Sequence, residues 1–240
     1  STSGPTPRHL HAMAYDAARG VTVLFGGFVN TPPYYLDQTW EWDGAAWTIR
    51  STGGPSARSQ VGLVYDQARA RTVLIGGNNA SNQSPRDLWE WDGDAWTQRA
   101  AGLPVGDASL SIYHQQRGRT ILMRQFGAPM LEWDGTTWLF APPPPLSPTY
   151  GLYPTWTYDP LRGTAVFLGT QNGPSETWEW SAGENVWILR DRNAPQKMRH
   201  AAAFDTARNR LVLFGGSYSA PSNETWEWNG IAWTRRMVSG

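Results

Sequence analysis

The sequence predicts an all-β fold, a five-bladed β-propeller whose four-stranded antiparallel blades surround a central channel, as a single domain over residues 1–240. Three observations predict it. The chain combines 15 Trp, 25 Gly and 18 Pro with only 17% charged residues, which is typical of turn-rich β proteins that pack on aromatic side chains. One segment recurs five times along the chain. Each copy contains short runs of alternating polarity separated by turn residues.

The repeat is clearest in its first, second and fifth copies. Their first halves read HAMAYDAARGVTVLFGG, VGLVYDQARARTVLIGG and HAAAFDTARNRLVLFGG, and their second halves read QTWEWDGAAWT, DLWEWDGDAWT and ETWEWNGIAWT. The third and fourth copies are weaker, with SLSIYHQQRGRTILMRQFG and TWTYDPLRGTAVFLGT as first halves. An equivalent Trp falls at positions 42, 91, 133, 180 and 228, so the spacings are 49, 42, 47 and 48 residues, in the range of propeller blades.

Each copy divides into four strands, which we call A to D. In the first copy we expect them at 9–15, 21–26, 38–43 and 46–50, because these runs alternate with period two. The two Trp of each TWEW run lie two residues apart and therefore share one strand face, where they can cover a neighbouring blade. One blade cannot bury both of its faces, so the five pack radially. The predicted blades cover approximately 8–50, 58–99, 106–140, 151–190 and 197–236.

The glycine pair after an apolar strand, followed by spaced aromatic residues that end in a Trp, resembles the kelch repeat. The resemblance covers nearly the whole chain and implies a β-propeller. Kelch propellers generally have six or seven blades, so five copies depart from the family pattern. The resemblance implies no single function, because kelch propellers perform many.

Composition excludes several function classes. The formal net charge is zero, which argues against nucleic acid and acidic membrane surfaces as partners. Cysteine is absent, so disulfides and thiolate metal sites are excluded. No apolar run approaches the roughly 20 residues of a membrane span. We therefore expect a soluble monomer without cofactor or metal, and the closely spaced His9 and His11 are only a weak metal signal.

Function is predicted at one end of the blades. In a four-stranded meander the A–B and C–D turns share one end, and here they are uniform, as in DAARG and DQARA. The B–C and D–A loops share the other end, the loop face, and they differ between blades, as in FVNTPPYYLDQ and NNASNQSPRD. Variable loops on a rigid scaffold are where binding usually resides.

The candidate site residues are those on the loop face that the repeat does not explain. Arg124 stands where other copies have a glycine pair, and Asp107 is an acid without a repeat equivalent. His11 and His200 share one repeat position, so a packing or strand-end role is the alternative for both, and His114 replaces a turn Asp, which favours a structural role. The predicted ligand-binding residues are His9, His11, Tyr34, Asp107, Arg124, Gln125, Tyr153, Trp156, Arg199 and His200.

Two functions remain open at this stage. The first is binding of a peptide, protein loop, glycan or small molecule on the loop face, with Arg pairing a carboxylate and with Phe28, Tyr34, Tyr35 and Tyr218 as loop aromatics. The second is a small-molecule enzyme of isomerase, mutarotase, lyase or cyclase type, in which Asp107 or His200 moves a proton and Arg124 stabilises negative charge. A purely structural or designed scaffold is a third hypothesis, and the divergence of copies three and four argues against it.

Overall fold

The structure, a computed structural model, describes residues 4–81, 83–103, 110–123, 130–143, 155–169, 175–181, 183–195, 200–216 and 222–237. These residues form β-strands joined by turns, with one 3₁₀ turn at Gln115–Arg117. The strands build five separate four-stranded antiparallel sheets, and in each sheet the strands are neighbours in chain order. The predicted fold class is confirmed: the protein is all-β, with the five four-stranded blades of a β-propeller.

The strand boundaries follow the repeat from blade to blade. The first two blades contain β1 (Ala12–Asp16), β2 (Val21–Phe25), β3 (Thr39–Trp42), β4 (Trp47–Ser51), β5 (Gly62–Asp66), β6 (Arg71–Ile75), β7 (Asp87–Trp91) and β8 (Trp96–Ala101). The third contains β9 (Ser111–His114), β10 (Arg119–Leu122), β11 (Met130–Trp133) and β12 (Trp138–Ala141). The last two contain β13 (Thr155–Asp159), β14 (Thr164–Gly169), β15 (Ser175–Ser181), β16 (Val186–Ala194), β17 (Ala201–Asp205), β18 (Arg210–Phe214), β19 (Thr225–Trp228) and β20 (Trp233–Arg236).

The chain divides into two compact units. The first consists of Ser1–Tyr113, Gly118–Arg124 and Glu132–Leu139, and the second of His114–Arg117, Gln125–Leu131 and Phe140–Gly240. The first unit therefore holds the first two blades and the second unit the last two.

Buried Trp residues join neighbouring blades, as the TWEW pattern predicts. Trp91 is 1% exposed, and its indole donates a hydrogen bond of 3.0 Å to Glu41 of the preceding blade. Trp133 donates in the same way to Glu90, at 3.2 Å. The Glu between the two Trp points to the opposite face of the sheet. Its carboxylate accepts a hydrogen bond from the indole N–H of the next blade, so that face is buried as well. Both faces of the second blade are thus used in packing.

A network of salt bridges that recurs from blade to blade gives many of the arginines a structural role. In the first blade, Arg19 bonds both Asp16 at 2.7 Å and Glu41 at 2.6 Å, and Arg50 bonds Glu41 at 2.8 Å. The same four-residue network recurs in three other blades, as Asp66–Arg69–Glu90–Arg99, Asp159–Arg162–Glu179–Arg190 and Asp205–Arg208–Glu227–Arg236. It ties the A–B turn to the two outer strands of each blade. These arginines belong to the scaffold.

The third blade departs from this network because His114 replaces the turn Asp. The His114 side chain is fully buried, with its ring 4.6 Å from Tyr158 and 5.7 Å from Trp180. Among the described residues neither ring nitrogen has a hydrogen-bond partner. The guanidinium of Arg117 lies 5.5 Å over the Trp180 ring. His114 therefore acts as a packing residue.

His114 makes stability depend on pH. Burial, with a smaller contribution from the charge of Arg117, lowers the pKa of His114 from 6.5 to about 4. The unfolded chain therefore takes up this proton first, so stability present above pH 6.5 is lost as the pH falls towards 4, by about 1.4 kcal/mol per pH unit. His114→Asn does not titrate, and its amide oxygen can accept turn N–H groups as Asp16 does.

Urea unfolding at pH 7, 5.5 and 4.5 checks this expectation. The parent is expected to lose stability more steeply than His114→Asn between pH 6.5 and 4.5, while the carboxylates contribute equally to both proteins. Equal slopes would contradict the assignment.

Candidate functional site

The loop between β2 and β3, residues 26–38, is the B–C loop of the first blade on the loop face. It begins at Gly26 and Gly27, whose φ angles of 67° and 108° lie in the left-handed region. A Cβ at Gly27 would lie 3.1 Å from Cβ of His11 and 3.2 Å from the His9 carbonyl oxygen. The glycine pair of the repeat is therefore required for the loop to approach the chain segment that leads into β1.

Three aromatic residues of this loop, Phe28, Tyr34 and Tyr35, cluster with His9, which precedes β1. We call this cluster the aromatic patch. Phe28 and His9 exchange two backbone hydrogen bonds of 2.8 and 3.0 Å, which place their rings 5.2 Å apart. The Phe28 ring stacks on Tyr34 at 6.1 Å and meets Tyr35 edge-on at 5.1 Å. The Tyr34 side chain is 47% exposed, with a φ of 61°. The patch therefore offers a clustered aromatic surface to solvent.

Backbone hydrogen bonds to the second blade hold the loop in place. The amide of Gly27 donates to the Arg58 carbonyl, and the Arg58 amide donates to the Leu36 carbonyl, each at 3.0 Å. Gln60 donates to the Leu10 carbonyl at 2.9 Å, which links the two D–A segments. Inside the loop, Val29 donates to Tyr34 at 2.7 Å. A loop fixed in this way presents the patch in one arrangement, which lowers the entropy cost of binding.

A positive charge lies beside the patch. The Arg8 guanidinium donates to the Gly26 carbonyl at 3.1 Å and to Gln38 Oε1 at 2.8 Å, and it also bonds Thr6. All of these acceptors are neutral. Burial, and secondly the charge of Arg8, lower the pKa of the neighbouring His11. The charge of Arg8 thus adds to the effect of burial at His11.

Arg8 is a residue that the sequence prediction missed. Arg58 occupies the equivalent place in the second blade, where it pairs with Asp87 at 2.6 Å. In the first blade Gln38 replaces that Asp, so the arginine remains but its carboxylate does not. The sequence contains a signal for this difference. PTPR and DQTW of the first blade align with PSAR and RDLW of the second, so Arg8 matches Arg58 while Gln38 stands in the place of Asp87.

The predicted site residues fall into three groups. His9, His11 and Tyr34 lie together in the first unit, at or beside the aromatic patch. Trp156 and His200 belong to the second unit and are engaged in packing or hydrogen bonding there. Five further residues lie outside the described part of the chain, as does the loop aromatic Tyr218, and they stay predictions: Asp107, Arg124, Gln125, Tyr153 and Arg199.

The structure gives Trp156 and His200 structural contacts. Trp156 is only 9% exposed and meets Trp187 edge-on at 5.7 Å, so its ring is part of the core of the fourth blade. His200 Nε2 forms a short hydrogen bond with the Thr155 hydroxyl of the preceding blade. This bond favours the strand-end alternative for His200. A ligand-binding role for Trp156 and His200 stays a prediction.

No group of three metal-ligating side chains comes together within the described ranges. The part of the chain that the structure covers also contains no helix of the length and apolar character that a membrane crossing requires.

No protein-family model matches the chain, and no curated protein matches it significantly. The kelch resemblance therefore rests on the repeat itself, and the β-propeller fold rests on the sheets described above.

Proposed function

We propose that the chain is a ligand-binding propeller that recognises a peptide, a protein loop or a glycan on its loop face. The aromatic patch of the first blade is the observation that carries this proposal. It combines an exposed Tyr34 ring with three further rings held in one arrangement by backbone hydrogen bonds. Tyr-rich surfaces of this kind supply a large contact area at low entropy cost.

The neighbouring charge indicates which ligands fit best. Arg8 keeps its positive charge close to the patch, because its hydrogen-bond acceptors are neutral. A ligand with a flat apolar surface and a carboxylate would use both features, the first against the rings and the second in the positive potential. Acidic peptides with an aromatic side chain and glycans with acidic sugars have this chemistry.

Binding has stronger support than the small-molecule enzyme alternative. Of the three residues proposed for catalysis, Asp107 and Arg124 lie outside the described residues. The third, His200, uses its Nε2 atom in a hydrogen bond to Thr155. The aromatic patch contains no carboxylate that could act with His9 as an acid–base pair. The side chains of the patch are suited to contact with a ligand rather than to proton transfer.

A binding screen with matched variants tests the proposal. Peptide and glycan arrays identify ligands of the parent, and calorimetry then compares the parent with Tyr34→Ala. We expect the Kd to rise about tenfold or more, because an exposed Tyr at the centre of a contact carries a large share of binding energy.

Phe140→Ala serves as the control, because Phe140 is 70% exposed on β12, outside the patch. It is expected to bind with the parental Kd. Ligands that bind Tyr34→Ala as tightly as the parent would contradict the proposal, as would turnover of a small molecule by a parent that binds no array member.

A further inference from the structure

The turn between strands C and D has the same geometry in three of the blades. It begins with an Asp–Gly pair, and the Asp side chain accepts hydrogen bonds from two backbone amides further along the turn. In the first blade Asp43 Oδ1 accepts from Ala45 and Ala46, each at 2.8 Å. Asp92 and Asp134 accept in the same way in the second and third blades. These bonds close the hairpin.

The fifth blade has an amide where these blades have a carboxylate. Asn229 Oδ1 accepts from the backbone amides of Ile231 and Ala232, each at 2.8 Å. Asn229 is exposed, as are Asp43 and Asp92. Exposure is therefore a property of the hairpin turn itself, since it recurs in separate blades, and water reaches the Asn229 amide.

The fold requires a glycine directly after Asn229. Gly230 has a φ of 93°, in the left-handed region, and a Cβ there would lie 2.9 Å from both Cζ and Nη1 of Arg162. Arg162 is itself fixed by salt bridges to Asp159 and Glu179. Among the described residues the Gly230 N–H has no hydrogen-bond acceptor. The residue that follows Asn229 thus has an unshielded backbone nitrogen.

We propose that Asn229 is a site of self-modification, at which deamidation produces the aspartate that three other blades carry. The Gly230 nitrogen loses its proton to solvent and attacks Cγ of Asn229, which forms a succinimide ring. The bond from Cγ to Nδ2 breaks, and ammonia leaves with a proton returned by solvent. Water then adds to Cγ and breaks its bond to the Gly230 nitrogen, which restores the normal backbone with a carboxylate at position 229.

The geometry of the turn favours the attack. The Oδ1 atom of Asn229 becomes negatively charged in the tetrahedral intermediate, and the amides of Ile231 and Ala232 already donate to this atom. Paired amide donors on a developing oxyanion are the means by which enzymes stabilise acyl-transfer intermediates. Gly230 adds no side chain that would hinder the approach of its nitrogen.

The turn also favours aspartate as the final product. A carboxylate at position 229 can accept the same two amides with a full negative charge, and charge-assisted hydrogen bonds are stronger than neutral ones. Hydrogen bonds from the turn amides lower the pKa of Asp43 and of Asp92, so these carboxylates stay charged and resist the same attack. The isoaspartate alternative, in which water opens the other side of the ring, lengthens the backbone and disrupts this turn.

Incubation of the folded chain in mildly alkaline buffer tests the proposal, with mass spectrometry of proteolytic peptides as the readout. We expect the peptide that contains Asn229 to acquire the mass of the acid at least as fast as in the chain unfolded by guanidinium chloride at the same pH. Asn79 is the internal control, because its Oδ1 also accepts two turn amides, each at 3.0 Å, but Ala80 follows it. Asn79 is expected to keep its amide.

Two variants complete the test. Asn229→Gln cannot form the succinimide ring, so its peptide is expected to keep its mass. Asn229→Asp represents the product, and we expect its midpoint of urea unfolding to exceed that of freshly purified parent and to equal that of the aged parent. Slower conversion in the folded chain than in the unfolded chain would overturn the proposal, as would isoaspartate as the main product of the folded chain. The turn lies at the opposite end of the blade from the loop face, so neither result bears on the proposed binding function.

Discussion

Glu90→Ala is expected to lower the free energy of unfolding by about 3–5 kcal/mol. The Glu90 carboxylate is 3% exposed and accepts hydrogen bonds from Arg69, from Arg99 at 2.9 Å and from the Trp133 indole at 3.2 Å. Burial by itself would raise the pKa of Glu90, but the hydrogen bonds from Arg69 and Trp133 outweigh it and lower the pKa. The carboxylate is therefore charged in the folded state, and its removal leaves partly buried donors without their acceptor.

Denaturant unfolding followed by tryptophan fluorescence measures the loss. Glu227→Ala is the matched control at the same repeat position. The partners of Glu227, Arg208 and Arg236, are 57% and 50% exposed, so water solvates them when the carboxylate is removed. We expect a clearly smaller loss for this variant. Equal losses at Glu90 and Glu227 would show that burial of the partners does not set the energy of the network.

Arg58→Met is expected to lower the free energy of unfolding by about 3 kcal/mol. The Arg58 side chain is 1% exposed and holds both oxygens of Asp87, at 2.6 and 3.0 Å. It also donates to the Gly76 carbonyl at 3.0 Å and to Ser56. Met fills similar volume, so the expected loss comes from the unpaired carboxylate and carbonyl rather than from a cavity.

Arg8→Met provides the comparison in the first blade. Arg8 is half-buried and bonds the neutral Gln38, so its removal leaves no carboxylate behind. We expect a smaller loss than at Arg58. In a double-mutant cycle, Asp87→Asn should reduce the cost of Arg58→Met, because the acid is then already neutral. If the losses in the free energy of unfolding from the two substitutions simply add, the charge pair is not the source of the loss at Arg58.

Much of the fold was predictable because the same pattern of strand and turn residues recurs five times along the chain. The Trp recur at equivalent places in every copy and the Gly and Asp in most of them, and five copies leave little choice of strand order. The strand ends were less predictable. The first strand begins at Ala12 rather than at residue 9, because His9 forms its backbone bonds with Phe28 in the variable loop. That pairing joins residues far apart in the chain and leaves no periodic signal.

The candidate site was predictable in part. Tyr34 and His9 were identified because they break the repeat on the loop face, and the structure brings them together with Phe28. Arg8 was not identified because it follows the repeat, and only its changed partner, Gln38, distinguishes it from Arg58. Trp156 broke the repeat as well, but its ring fills the core beside Trp187. Departure from a repeat therefore indicates a difference in surroundings, and at Trp156 that difference is a packing contact.

The amino-acid sequence alone determined the all-β class, the number of blades and the order of strands within each, because local periodicity and turn chemistry repeat five times. Only the tertiary structure decided which side chains are buried and which partner each arginine has, as where Arg58 pairs with Asp87 and Arg8 bonds Gln38. The physical reason is that strand periodicity and turn chemistry are local, whereas burial and side-chain pairing depend on contacts between residues far apart in the chain.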